Sequence, residues 1–171
     1  MIDSAWCVLM ARYNDWMNRK LYAACARLTD AERKQARGAY FGSIHGTLNH
    51  LLFGDTAWMR RFTGRPLDGL HATMEFHPEL QALREMREIF DQEIIEWAGK
   101  LKPEWLAADF TYTSLVGGAR QTLPAWQAVT HMFNHQTHHR GQVTTLLSQF
   151  GVDVGVTDLT GLPTLRGAFL D

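Results

Sequence analysis

Apolar residues recur at three- and four-residue steps through four long stretches of the chain. In residues 3–28 the repeat is Trp6, Leu9, Tyr13, Trp16 or Met17, Leu21, Ala24 and Leu28, which predicts an amphipathic helix. Thr29-Asp-Ala-Glu32 has the spacing of a capping box for a short helix, and Gly38 to Gly42 reads as a loop. Ser43 suits the N-cap of a second long helix to about Phe62, carrying Ile44, Leu48, Leu51, Leu52, Trp58, Met59 and Phe62. Its polar stripe is narrow (His45, Asn49, Thr56, Arg60), so this helix is expected to be buried on most sides. After a loop over 64–77, a third helix is expected from Pro78 to Lys100, with Leu80, Leu83, Met86 or Arg87, Phe90, Ile94 and Trp97 inside and the charged residues on a solvated face. Pro103 opens one short turn. The period then changes to two: Asp109–Ser114 and Arg120–Leu123 read as strands joined by a turn at Val116-Gly-Gly-Ala119. Pro124 suits the first turn of a fourth helix that runs to about Phe150 and ends at Gly151. The tail from Val152 to Asp171 is expected to be mostly coil. The pattern predicts an all-α fold, an up-down four-helix bundle with a small β-hairpin before the last long helix, in a single domain over residues 1–171.

Composition narrows the function classes. A net charge of −1 gives no basic field for nucleic acid. No apolar run is long enough to span a bilayer, and Met1-Ile-Asp-Ser-Ala-Trp lacks the order of a secretory signal, so a cytoplasmic chain with no membrane partner is expected. Cys7 and Cys25 fall in one predicted helix, about 27 Å apart along its axis. A disulfide needs Cα atoms within about 7 Å, so both are expected as free thiols, packed as small apolar groups.

The candidate chemistry is in the last helix. Four of eight histidines, His131, His135, His138 and His139, fall within nine residues. Imidazole is the commonest ligand for borderline transition metals, and residues four apart stand nearly above one another on a helix. Both His131/His135 and His135/His139 have that spacing. On a wheel of the apolar positions His139 lies about 40° and His135 about 80° from the mean apolar direction, against about 120° for His131 and 140° for His138. The inward pair is therefore His135 and His139. Arg140 also falls near the apolar face, to snorkel, pair with a buried carboxylate or meet a substrate. Gln136 stands where H-E-x-x-H has its glutamate, and an amide cannot be a metalloprotease's general base. No Glu-x-x-His occurs, which counts against a ferritin-like di-iron centre. On the second helix, His50 has Gly46 and Gly54 at i−4 and i+4. Interior glycines cost about 1 kcal/mol each against alanine, and room for a ligand or a close helix contact would offset that. This favours His50 over His45 as third ligand. Three imidazoles leave coordination positions open, whereas closed structural zinc sites use four protein ligands, so the count favours an open site unless Asp55 supplies a fourth.

The blocks Phe41-Gly-Ser-Ile-His-Gly-Thr-Leu-Asn-His50-Leu-Leu-Phe-Gly-Asp55-Thr-Ala-Trp58 and Asn134-His135-Gln-Thr-His138-His139-Arg-Gly-Gln142 resemble the DinB/YfiT-like family of metalloenzymes, and the likeness extends over nearly the whole chain. The resemblance implies a four-helix bundle holding one divalent metal, with the first ligand in the first block and an i, i+4 pair in the second: His50, His135 and His139. It also implies a homodimer and, in some members, S-transferase or isomerase chemistry with a small thiol such as bacillithiol or mycothiol. Zinc, nickel and iron(II) all suit imidazole nitrogen. Three functions follow as expectations. The first is a metal-dependent transferase activating a low-molecular-weight thiol. The second is a metal-hydroxide hydrolase with Asp55, His131 or His138 as proton shuttle. The third is a non-catalytic metal-binding stress-response bundle.

Overall fold

A computed structural model describes residues 2–71, 73–115 and 117–166. Helix α1 spans Ser4–Cys25, and its N-cap Asp3 accepts a hydrogen bond from the Trp6 amide at 2.8 Å. Short α2, Asp30–Lys34, follows the expected capping box: Thr29 Oγ1 accepts from the Glu32 amide at 3.3 Å and Glu32 Oε2 from the Thr29 amide at 2.7 Å. Helix α3 is Ile44–Phe62, capped by Ser43 Oγ on the Gly46 amide at 3.1 Å. Helix α4 is Leu80–Gly99 and α5 the single turn Pro103–Ala107. Strands β1, Asp109–Thr113, and β2, Arg120–Pro124, pair antiparallel with Thr111 opposite Thr122. Helix α6 is Ala125–Ser148, and after it come a 3-10 turn at Leu159–Gly161 and α7, Pro163–Arg166.

The differences from the sequence expectation are at boundaries. Helix α1 stops at Cys25, not Leu28, because the Arg27 and Leu28 amides bond three residues back, to Ala24 and Cys25. Pro124 is the N-cap of α6 and the last residue of β2, not a first-turn residue; at ψ 136° it is extended and pairs with Asp109. Helix α6 ends at Ser148, and Gly151, at φ +71°, closes the turn beyond it. Within the expected hairpin turn Val116 lies outside the described residues, as do residues 167–171 of the tail.

Among the described residues the protein is mostly helical, with one two-stranded sheet. Helix α1 packs on α4 and α6, and α3 packs on α6 and α4. Leu21, Leu52, Leu83, Val143 and Leu147 form one half of the interior, and Cys7, Met59, Ile94, Val129 and Met132 the other. Each such large apolar side chain contributes about 1.5–3 kcal/mol on burial. No helix among the described residues is long and apolar enough to cross a membrane.

A polar network crosses this interior. Arg87 is 2% exposed and ion-pairs with Asp55 at 2.5 Å and Asp91 at 2.7 Å. Asp91 also accepts from Asn14 at 3.0 Å and Asn18 at 2.9 Å. Gln136 donates to Asp55 at 2.6 Å, and Arg140 donates to Asn14. Every long helix contributes. The sequence expectation allowed Arg87 inside as the alternative to Met86 but placed the other charged residues of the third helix on a solvated face; Asp91 departs from it because Asn14, Asn18 and Arg87 close around it, and two carboxylates and two guanidiniums balance in formal charge. Burial pushes both carboxyl groups up and Arg87 draws them down, while the two carboxylates hold Arg87 firmly charged. Such a network is a weak source of net stability, but breaking one partner costs about 3–5 kcal/mol, which penalises any other register of the helices.

Candidate metal centre

Helices α3 and α6 face each other, and His50, His135 and His139 come from the facing sides. Each offers a ring nitrogen, and the three donors lie within 4.8 Å of one another. His50 Nε2 and His135 Nε2 are 3.1 Å apart. Two nitrogens bound tetrahedrally to zinc at about 2.0–2.1 Å are separated by about 3.3 Å, so this pair already has the separation of two ligands on one ion. His139 Nδ1 donates to Gln142 Oε1 at 2.8 Å, which leaves Nε2 as its free donor. Gln142 is fixed in turn, donating through Nε2 to His138 Nε2 at 3.2 Å. His135 Nδ1 is buried with no hydrogen-bond partner. The residues thus fit one ion held by three imidazoles.

Both rings on α6 are ready as neutral ligands. Burial, with the neighbouring His139 and His50, lowers His135 from its ordinary value to about 3, and burial also lowers His139. No proton has to leave either ring near neutral pH before a metal binds.

Both glycines beside His50 serve the site. A Cβ on Gly54 would stand 2.6 Å from His135 Cε1, closer than real contacts allow, so the α6 imidazole lies directly on the bare backbone of α3. A Cβ on Gly46 would collide with the Phe41 carbonyl oxygen. Phe41 needs that position because its ring stacks on His50, centroids 3.6 Å apart and planes 16° from parallel, and meets His139 edge-on at 5.4 Å. The loop before α3 therefore forms one wall of the site.

The remaining candidates fall elsewhere. Asp55 is one turn beyond Leu51 on α3, but its two oxygens are engaged by Arg87 and Gln136 in the interior, so it is neither a fourth ligand nor a shuttle. His45 belongs to the stripe expected to be polar; it is 3% exposed, and its Nε2 meets Glu75 at 3.0 Å and the His77 carbonyl at 2.9 Å, tying α3 to the following loop. His131 and His138 are exposed, as the wheel indicated. His131 nevertheless packs on Trp58, ring centroids 5.1 Å apart, and lines a pocket of about 260 Å³ with His50 and His135. Arg61, Trp58 and Tyr112 are also in its wall. Sequence periodicity could assign those three only to a core or a surface, since the hairpin that carries Tyr112 reaches them across the fold. Cys7 and Cys25 are buried free thiols, and burial pushes both up to about 12.

Comparisons with known proteins show the family. No solved structure matches the chain significantly. A protein described as Protein DinB from Bacillus subtilis (strain 168) is 26% identical over 153 residues, covering 85% of this chain and 87% of that relative. The family model described as the DinB family matches residues 1–166, nearly the full length, and the chain belongs to the DinB family.

Proposed function

We propose that His50, His135 and His139 hold one divalent transition ion, zinc, nickel or iron(II), with an open face, and that the loaded protein transfers a low-molecular-weight thiol to an electrophile. The observation that carries this reading is the joining of two features: three imidazole donors within 4.8 Å, and a pocket whose wall includes two of them. A divalent ion bound there lowers the pKa of a bound thiol or water towards neutrality. The chain's own groups do the rest. Gln142 orients His139, Phe41 and Phe53 keep His50 in an apolar setting, and His131 stands at the rim as a proton acceptor. The four long helices are read as an up-down bundle, supported by the pairwise packing of α1, α3, α4 and α6.

Hydrolysis is the second reading: of its three candidate shuttles, Asp55 is committed to Arg87 and Gln136 and only His131 lines the pocket. A non-catalytic metal bundle is the remaining one. The test is elemental mass spectrometry on untagged protein beside His50→Ala, His135→Ala and His139→Ala, followed by transfer assays with small thiols and electrophiles. One metal per chain, lost in each variant, with metal-dependent thiol transfer, is the expected result. Metal retained in all three variants overturns the ligand set, and a full site with no transfer of any thiol overturns the reaction.

A further inference from the structure

The pocket beside the histidines carries a charge that no described residue balances. It is bounded by Arg61, His131, His50 and His135, and no aspartate or glutamate among the described residues lines it. Arg61 is half-buried and has no ion-pair partner among the described residues. Its guanidinium lies 4.8 Å from the Trp58 ring centre and 5.1 Å from that of Tyr112. One amino group donates to the Thr113 carbonyl at 3.1 Å, while Nε is buried with no hydrogen-bond partner. A guanidinium has five N–H donors in a planar fork that matches a carboxylate. Two aromatic rings hold this one in place from α3 and from the hairpin, so its orientation is set before any ligand arrives.

The volume, about 260 Å³, is just below the 300–1,000 Å³ typical of ligand pockets, which fits a small molecule and excludes a peptide. The walls are mostly flat and apolar: Trp58, Tyr112, Phe53, Ala57 and Leu115. An anion with a flat unsaturated body matches both the charge and the shape.

We propose that this pocket binds a small carboxylate on an unsaturated or aromatic body, with the carboxylate on Arg61, the body against Trp58 and Tyr112, and the far end directed at the open face of the three histidines. The inference deepens the functional reading by naming the class of molecule that site receives, and it rests on that reading only for the reaction, since Arg61 and the aromatic walls stand without a metal. Two sources supply the same chemistry: the thiol co-substrate, if it carries a carboxylate, or the electrophile.

The test is binding, by calorimetry and by the shift of the Trp58 indole resonance, assigned with Trp58→Phe. Probes are benzoate, its neutral counterpart benzamide, and 2-sulfanylbenzoate, each added to metal-free and to zinc-loaded protein. Benzoate is expected to bind metal-free protein at least 10-fold more tightly than benzamide and to shift Trp58. Arg61→Gln is expected to abolish that preference and Arg61→Lys to retain part of it, with melting temperatures confirming that both variants fold. Equal binding of benzoate and benzamide, or an Arg61→Gln variant that keeps the preference, overturns the proposal and leaves Arg61 as a cation that only pins the hairpin. A further 10-fold tightening of 2-sulfanylbenzoate on zinc loading assigns the carboxylate to the thiol; equal affinities of benzoate and 2-sulfanylbenzoate in the loaded protein assign it to the electrophile. Because the primary readout needs no metal, a chain that binds no metal but discriminates benzoate refutes the metalloenzyme reading alone.

Discussion

Gly54→Ala separates the fold from the site. The added Cβ would lie 2.6 Å from His135 Cε1, whereas ordinary contact begins at 3.4 Å, so the ring must retreat by 3.4 − 2.6 = 0.8 Å. Metal–ligand distances tolerate about 0.2 Å, and the displacement is four times that. Fold stability is hardly affected. Alanine gains about 1 kcal/mol in helix propensity, and overpacking costs about 1–3 kcal/mol, so metal-free protein loses between about 0 and 2 kcal/mol. Disturbing a ligand's support alone weakens metal binding about 10–100-fold. At a zinc concentration 1,000 times the wild-type Kd the ion stabilises the fold by about 4.1 kcal/mol; after a 100-fold loss of affinity the same concentration gives about 1.4 kcal/mol. At about 3 °C per kcal/mol for a chain of this size, the zinc-induced rise in melting temperature shrinks from about 12 °C to about 4 °C. Thermal unfolding with and without zinc, beside a competition titration against a chromogenic chelator, measures both quantities. The Gly54→Ala/His135→Ala double variant is the control: with the ring gone the alanine meets no obstacle, and the metal-free protein should be more stable than Gly54→Ala alone. A Gly54→Ala protein with the wild-type zinc response would refute the argument that this glycine seats a ligand.

Two further outcomes follow from other contacts. Gln142→Leu removes the acceptor that fixes the His139 tautomer without touching a ligand, and zinc affinity should fall about 10–100-fold in the same chelator competition, with metal-free melting unchanged; undiminished affinity would mean that His139 needs no orienting partner. Cys7 and Cys25 ionise near 9.0 when unfolded but near 12 when buried, so the unfolded state loses protons first as pH rises and stability falls from pH 9 upwards. At pH 10 the two thiols together lower stability by about 3 kcal/mol relative to pH 7, and urea unfolding of the Cys7→Ala/Cys25→Ala variant should lack that part of the decline; identical pH profiles would show that the thiols are not protected.

Much of the fold was legible because its signals are local. Ser43 and the Thr29–Glu32 box cap the helices they announced, and the strands at 109–113 and 120–124 stand where the period changed to two. What was not legible depends on partners distant in the chain. The stripe of His45, Asn49 and Thr56 is polar in sequence but buried in the fold, since Glu75, the His77 carbonyl and the Phe76 amide come from the loop that covers it. Asp91 looks like any solvated helix carboxylate until Asn14, Asn18 and Arg87 close around it.

The site divides along the same line. The pair at 135 and 139 follows from one helix's geometry, and His50 was found indirectly, through two glycines whose helix cost demanded a return. That return is now specific: Gly54 admits His135 and Gly46 admits the carbonyl behind Phe41, so the sequence signal for the third histidine of the cluster was the absence of side chains around it. Gln136 carries the opposite lesson. Sequence reading treated it as a missing general base, yet it is fully buried and donates to Asp55, one residue from His135 on α6 and five from His50 on α3. The residue that stands in place of a protease's glutamate is also one that joins the two histidine-bearing helices through the buried charges. The register of the three histidines and the stability of the interior are therefore set by the same contacts.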